Sequence, residues 1–105
     1  MAGLASAWKN EAAFRQETIL AILLIPAAFW LGANIVHTSL LLLSVFIVLI
    51  TELLNSSIEA TIDRISEDKH ELSKRAKDVA SAAVFISLLT LIIIWGLAIF
   101  DKFFT

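Results

Sequence analysis

Residues 79–100 form an unbroken apolar run without a single charge. As a helix rising ~1.5 Å per residue, a run of this length crosses a hydrocarbon layer of ~30 Å. Lipid offers no partner to backbone N–H and C=O groups, so such a segment must satisfy them internally as a helix. The rest of the chain follows suit. Of 105 residues, 59% are hydrophobic and 17% charged, and the mean hydropathy is +0.87. A water-soluble domain is excluded by these values. The fold class expected is therefore an all-α membrane protein.

Two further spans are expected, over 18–33 and 38–62. The first is short, but Trp30 near one end and charged residues at the other suit a span with an interfacial anchor. The second reaches spanning length only if it continues past its apolar part, residues 38–51, into ELLNSSIEATI. That continuation carries Glu52, Asn55 and Glu59, followed by Asp63. At ~100° per residue, these four positions fall within a sector of roughly 80°, so they form one polar stripe on one helix face. An ionisable group near the bilayer centre costs on the order of 2.5–3.5 kcal/mol by insertion scales, so such groups tend to mark pathways, relays or sites. The stripe is where function is to be sought.

Charge also predicts the orientation. Lys9, Arg15, Arg64, Lys69, Lys74, Arg75 and Lys77, seven of the eight basic residues, lie before the first span or between the second and third; Lys102 alone lies beyond. By the positive-inside rule the N-terminus and the polar loop are cytoplasmic and the C-terminus is on the far side. The acidic stripe then opens toward ATP and Mg²⁺. A cleavable signal peptide is not expected, because no basic region leads into a short apolar core and cleavage site. With no cysteine, disulfides and thiolate metal sites are excluded. A net charge of −2 without a basic block gives no footing for nucleic acid.

Residues 1–17 read as an interfacial amphipathic lead-in, with Leu4, Trp8, Ala12 and Arg15 at helical spacings. Pro26 removes a backbone donor within the first span and is expected to act as a structural kink. The segment SEDKHELSKRAK, 66–77, reads as a solvated helical turn or hairpin. Trp30 and Trp95 are expected as interfacial or lipid-facing aromatics, with Phe103 and Phe104 as a membrane-exit belt. His37 and His70 have no metal-ligand partner at i+4, and no zinc site is assigned.

Several residues invite chemistry. Glu52 is the deepest acid, suited either to general-base work with a tuned pKa or to a hydrogen bond with a neighbouring helix. Glu11 and Glu59 are hard oxygen ligands, and Mg²⁺ is commonly held by one or two carboxylates together with substrate phosphates. Glu11 is also four residues from Arg15, the spacing of a surface ion pair. Lys77 and Asp78 could neutralise and orient phosphate, or be ordinary charges at a membrane entry; Ser81 shares a helix face with both.

The strings NEAAFRQE (10–17), ELLNSSIEATIDR (52–64) and HELSKRAKDVASAAV (70–84), in this order on a three-span chain, resemble the prokaryotic integral-membrane diacylglycerol kinase family. The resemblance covers nearly the whole chain. It implies a multi-pass homotrimer of the bacterial inner membrane, with a periplasmic C-terminus and active sites shared between subunits. The reaction implied is transfer of the ATP γ-phosphoryl group to diacylglycerol, giving phosphatidic acid. By matching residues, Glu52 is implied as the base, with Asn55 and Asp63 in support, and Glu11 and Glu59 as Mg²⁺ ligands. Asp68, Lys69, His70, Lys77 and Asp78, with Glu11 and Glu59, would meet the nucleotide. Ala13, Arg15, Glu17, Trp30, Glu52 and Ser81 would meet the lipid. Departures from the family pattern are the few residues before Glu11 and the detail of SEDKHE.

Competing readings are an undecaprenol kinase of the same fold and, from another class, a small proton-coupled multidrug transporter. The transporter would normally have four spans and one dominant acid. A purely structural membrane subunit is opposed by the stripe.

Overall fold

The computed structural model describes residues 1–65 and 71–105. Four helices follow one another: α1 (Ala2–Asn10), α2 (Ala12–Leu31), α3 (Ile35–Ile65) and α4 (Glu71–Phe104), with no strand among the described residues. The last three are long and apolar enough to cross a membrane. Three long helices match the three expected; α3 and α4 extend beyond 38–62 and 79–100 at both ends, whereas α2 starts six residues before 18 and stops at Leu31, two short of 33. At ~1.5 Å per residue α3 and α4 extend ~46 and ~51 Å, well past a ~30 Å hydrocarbon layer. The bundle is 54 Å long accordingly. Helix thus continues from the apolar runs through the charged flanks, where side chains reach water while the backbone stays paired.

Central to the bundle is α3, which packs along α2 on one side and α4 on the other, while α2 and α4 barely meet. Ala21, Ala28 and Leu31 of α2 recur at helical spacings and bury against the cluster of Leu41, Val45, Val48, Leu91, Trp95 and Ala98. Small alanines on α2 allow close approach where lipid tails provide no hydrophobic drive for association. Hydroxyls inside the spans bond first to their own helix: Ser44 Oγ donates to the Leu41 carbonyl at 2.7 Å and Ser87 Oγ to that of Val84 at 2.6 Å. Two of them also link α3 to α4. The Thr51 and Ser87 hydroxyls lie 2.9 Å apart, and Trp95 Nε1 donates to Ser44 Oγ at 3.1 Å.

That second bond corrects an expectation. Trp95 is not lipid-facing but buried, because an indole N–H within the bilayer needs an acceptor and Ser44 is the one opposite. Trp30 and Phe103 are exposed and stand with their rings 6.0 Å apart, and Lys102 Nζ lies 4.5 Å above the Trp30 ring.

The α2–α3 turn is tight. Asn34 caps α3 by accepting from the His37 N–H at 2.9 Å, and His37 Nδ1 accepts from the Ala33 N–H at 3.1 Å. His37, without a metal partner, is used in this turn. A Cβ at Gly32 would collide with both the side chain and the backbone of Thr38, so the close approach requires glycine. Helix α2 continues through Pro26 to Leu31. The expected lead-in is divided: α1 ends at Asn10, and Glu11 takes an extended conformation, φ −118° and ψ 106°. Leu4 and Trp8 therefore do not share one continuous face with Ala12 and Arg15. Likewise residues 71–77, expected as part of a separate turn, begin α4 itself.

Candidate active site

One end of the bundle carries all the described acids but Asp101. Along α3 the predicted stripe is graded by depth: Glu52 is 7% exposed, Asn55 and Glu59 are half-buried, and Asp63 is exposed. Heptad-like offsets on one long helix produce this gradient directly. Opposite it, Glu17 on α2 and Glu11 at the α1–α2 junction are both half-buried. The carboxylates of Glu17, Glu59 and Glu11 all act electrostatically on Glu52. Three acids from three segments thus lie within electrostatic range of a fourth, which is buried.

Asn55 ties the stripe together on one side only. Its Nδ2 donates to Glu59 Oε1 at 3.3 Å, while its Oδ1 is buried with no hydrogen-bond partner. A buried acceptor left unpaired costs about 1–3 kcal/mol, so native proteins rarely keep one without a use. Asn55 itself is one of the residues lining a groove of about 490 Å³ between α3 and α4, with Thr51, Ile58, Val79 and Ala83. A second groove of about 600 Å³ separates α1 from α3 and includes Asn10, Glu11, Ser56 and Ser57 in its lining.

Among the described residues, no three acidic or histidine side chains converge closely enough to hold a metal ion by themselves. Glu11 and Glu59 are nonetheless both half-buried carboxylates at this end of the bundle, and one or two carboxylates suit a Mg²⁺ ion whose remaining ligands come from phosphate and water. The donor set is all oxygen, as that ion prefers.

The residues expected to meet nucleotide separate into groups. Lys77 Nζ donates to Asp63 Oδ1 at 2.6 Å, joining α4 to the stripe. Asp78, one position on and so about 100° around the helix, instead accepts from Lys74 Nζ at 3.2 Å. It lines a shallow groove of about 360 Å³ with Glu71, Lys74 and Arg75. Asp78 and Ser81 are exposed, whereas Lys77 is half-buried toward α3. Asp68, Lys69 and His70 lie outside the described residues.

Of the lipid-contact residues, Glu17 joins the acids around Glu52, and Ala13 and Ser81 are exposed at the same end. Trp30 does not join them; it stands thirteen residues farther along α2, ~20 Å from Glu17, beside Lys102. Arg15 forms no ion pair with Glu11. Its Nη1 donates to the carbonyls of Trp8 at 2.7 Å and Lys9 at 3.1 Å, which the extended backbone at Glu11 leaves within reach. Reasoning from sequence missed two things here: the approach of Glu17 to Glu52, and the unpaired Asn55 oxygen. An acid directly at the start of an apolar run was the available signal for the first; nothing in the sequence shows the second.

Three membrane-crossing helices with an acidic, partly open site at one end define the class: a small multi-pass membrane protein whose polar site suits a metal-bound phosphate. Comparison with known proteins makes this specific. The family model for prokaryotic diacylglycerol kinase matches residues 1–99. Similar proteins include the diacylglycerol kinase of Escherichia coli strain K12, 48% identical over 101 residues that cover 96% of this chain and 83% of the relative. That of Haemophilus influenzae is 52% identical over 94 residues, 90% of this chain and 80% of the relative. That of Pseudomonas aeruginosa is 46% identical over 96 residues, 91% and 78% respectively. The chain belongs to the prokaryotic diacylglycerol kinase family, and is a membrane-embedded kinase.

Proposed function

We propose that the chain transfers the γ-phosphoryl group of Mg·ATP to the free hydroxyl of diacylglycerol, giving phosphatidic acid and ADP. The observation that carries this reading is a buried carboxylate, Glu52, on the polar stripe of a membrane helix, within electrostatic range of Glu11, Glu17 and Glu59, in a chain of the diacylglycerol kinase family. Glu52 accepts the hydroxyl proton as the lipid oxygen forms its bond to the γ-phosphorus and the bond to the β–γ bridging oxygen breaks. Glu11 and Glu59 hold Mg²⁺, which when bound neutralises charge on the phosphates. Asn55 fixes Glu59 through its amide N–H, and its spare oxygen faces the ligand. Lys77 adds positive charge beside Asp63, and Asp68, Lys69 and His70 contribute to the nucleotide side. Phosphoryl transfer asks mainly for positioning and charge stabilisation, and these groups supply both.

The lipid lies with its glycerol hydroxyl at Glu52, near Ala13, Glu17 and Ser81. Its acyl chains follow the outer surface of α2 toward Trp30. Asp78 and Ser81 are exposed on α4 away from Asp63, which supports a homotrimer in which they serve the site of a neighbouring copy. The distribution of Lys and Arg supports a cytoplasmic acidic end, with the C-terminus on the periplasmic side.

The test is transfer of label from [γ-³²P]ATP with Mg²⁺ in mixed micelles, offering diacylglycerol and undecaprenol in parallel. Wild-type protein labels phosphatidic acid, and Glu52→Gln lowers that rate by on the order of 10²-fold or more while keeping the KM for Mg·ATP, as expected for a general base. Label in undecaprenyl phosphate alone changes the substrate; no label in either lipid refutes the reading.

A further inference from the structure

Helix α1 ends on the Ala7 carbonyl, which accepts from the Glu11 N–H at 2.9 Å. The carbonyls just beyond have no intrahelical donor, as at any helix C-terminus, and carry the negative end of the helix dipole. Arg15, in the first turn of α2, reaches back across Glu11 and caps two of them, those of Trp8 and Lys9, with one guanidinium nitrogen. Such charge-assisted bonds are stronger than neutral ones. Between the two helices stands one extended residue, Glu11. Beside the clamp, the link between the helices rests on two backbone bonds, Glu11 N–H to the Ala7 carbonyl and Arg15 N–H to the Glu11 carbonyl, so the angle of α1 to α2, and with it the setting of Glu11, turns on few contacts. The groove between α1 and α3, whose lining includes Gly3, Ala7, Glu11, Leu53 and Ser57, depends on the same angle.

We propose that Arg15 is a positioning residue for the metal-nucleotide half of the site: its guanidinium locks the α1–α2 angle through the Trp8 and Lys9 carbonyls and so holds Glu11 beside Glu52 and Glu59. This rests on the reading of Glu11 as a Mg²⁺ ligand given above. It assigns Arg15 to its own backbone rather than to the lipid, and the two assignments differ in what a mutation disturbs.

Kinetics separate them. Arg15→Ala and Arg15→Gln raise the apparent KM for Mg·ATP about tenfold, equivalent to ~1.4 kcal/mol, and move the KM for diacylglycerol by less than about twofold. Arg15→Lys recovers part of the loss, since an ammonium can donate to the same carbonyls. A raised KM for diacylglycerol with Mg·ATP unaffected would place Arg15 on the lipid and overturn the proposal. A second readout does not depend on activity. The chain has no cysteine, and a side chain at Gly3 meets nothing within 4 Å. Spin labels on Gly3→Cys and Ser57→Cys, in protein diluted with unlabelled chain, report the α1–α3 distance. The distribution is narrow with Arg15 present and broad in Arg15→Ala; equal widths overturn the clamp. Glu11→Gln distinguishes the remaining failure. If it raises the Mg·ATP KM and Arg15→Ala does not, the positioning role is wrong; if neither does, the assignment of Glu11 to the metal is what fails.

Discussion

Replacing Asn55 by leucine should make the protein more stable and less active at once. The side chain makes one hydrogen bond, from Nδ2 to Glu59 Oε1, and at 3.3 Å it is long. Such a bond on a half-buried carboxylate contributes about 1 kcal/mol. Against this stands the buried, unpaired Oδ1, whose desolvation costs about 1–3 kcal/mol. The leucine removes both terms and adds apolar contact with Thr51, Ile58, Val79 and Ala83 across the α3–α4 groove. The net expectation is stability unchanged to raised by about 2 kcal/mol, the sign common where a site keeps groups for a ligand. Titration from mild detergent into sodium dodecyl sulfate, followed by tryptophan fluorescence, reads the stability; label transfer from Mg·ATP reads the rate. Activity should fall at least tenfold, because Glu59 loses its tether and the ligand loses an acceptor. A variant destabilised by more than about 1 kcal/mol that retained full activity would refute the reasoning, since it would mean that Oδ1 serves the fold and not a ligand.

Two further perturbations test the frame that carries the site. Gly32→Ala forces the new methyl onto Thr38 backbone and should cost about 1–3 kcal/mol by overpacking, read as a lower thermal midpoint in detergent. A double-mutant cycle with Ser44→Ala and Trp95→Phe should give a coupling of about 0.6–1.7 kcal/mol from the buried Nε1–Oγ bond, with the transfer rate little changed.

The three long helices were legible because three apolar runs of sufficient length admit nothing else; the separate α1 was not, because nothing in NEAA marks a break at Glu11. The stripe was legible because Glu52, Asn55, Glu59 and Asp63 lie on one helix, where spacing alone fixes the face. Relations between helices were not. Trp95 reads as a lipid-facing aromatic until Ser44, fifty-one positions away, is seen opposite it. Arg15 reads as the partner of Glu11 because i,i+4 spacing assumes a continuous helix, and the break at Glu11 voids that assumption. Lys77 and Asp78 read as a pair from adjacency, yet adjacent positions on a helix diverge by ~100°, and each found a different partner.

The bundle divides its labour along its length. From Ala21 and Ala28 on α2 to Leu91, Trp95 and Ala98 on α4, the half away from the acids is closely packed. At the acidic half, packing gives way to grooves between α1 and α3 and between α3 and α4. One long helix, α3, runs through both, so the packed half fixes its rotation and hence the direction in which Glu52, Asn55 and Glu59 face. The acidic half needs no packed core of its own to hold those groups in register. It can therefore stay open as grooves on either side of α3 without loosening the direction in which those groups face.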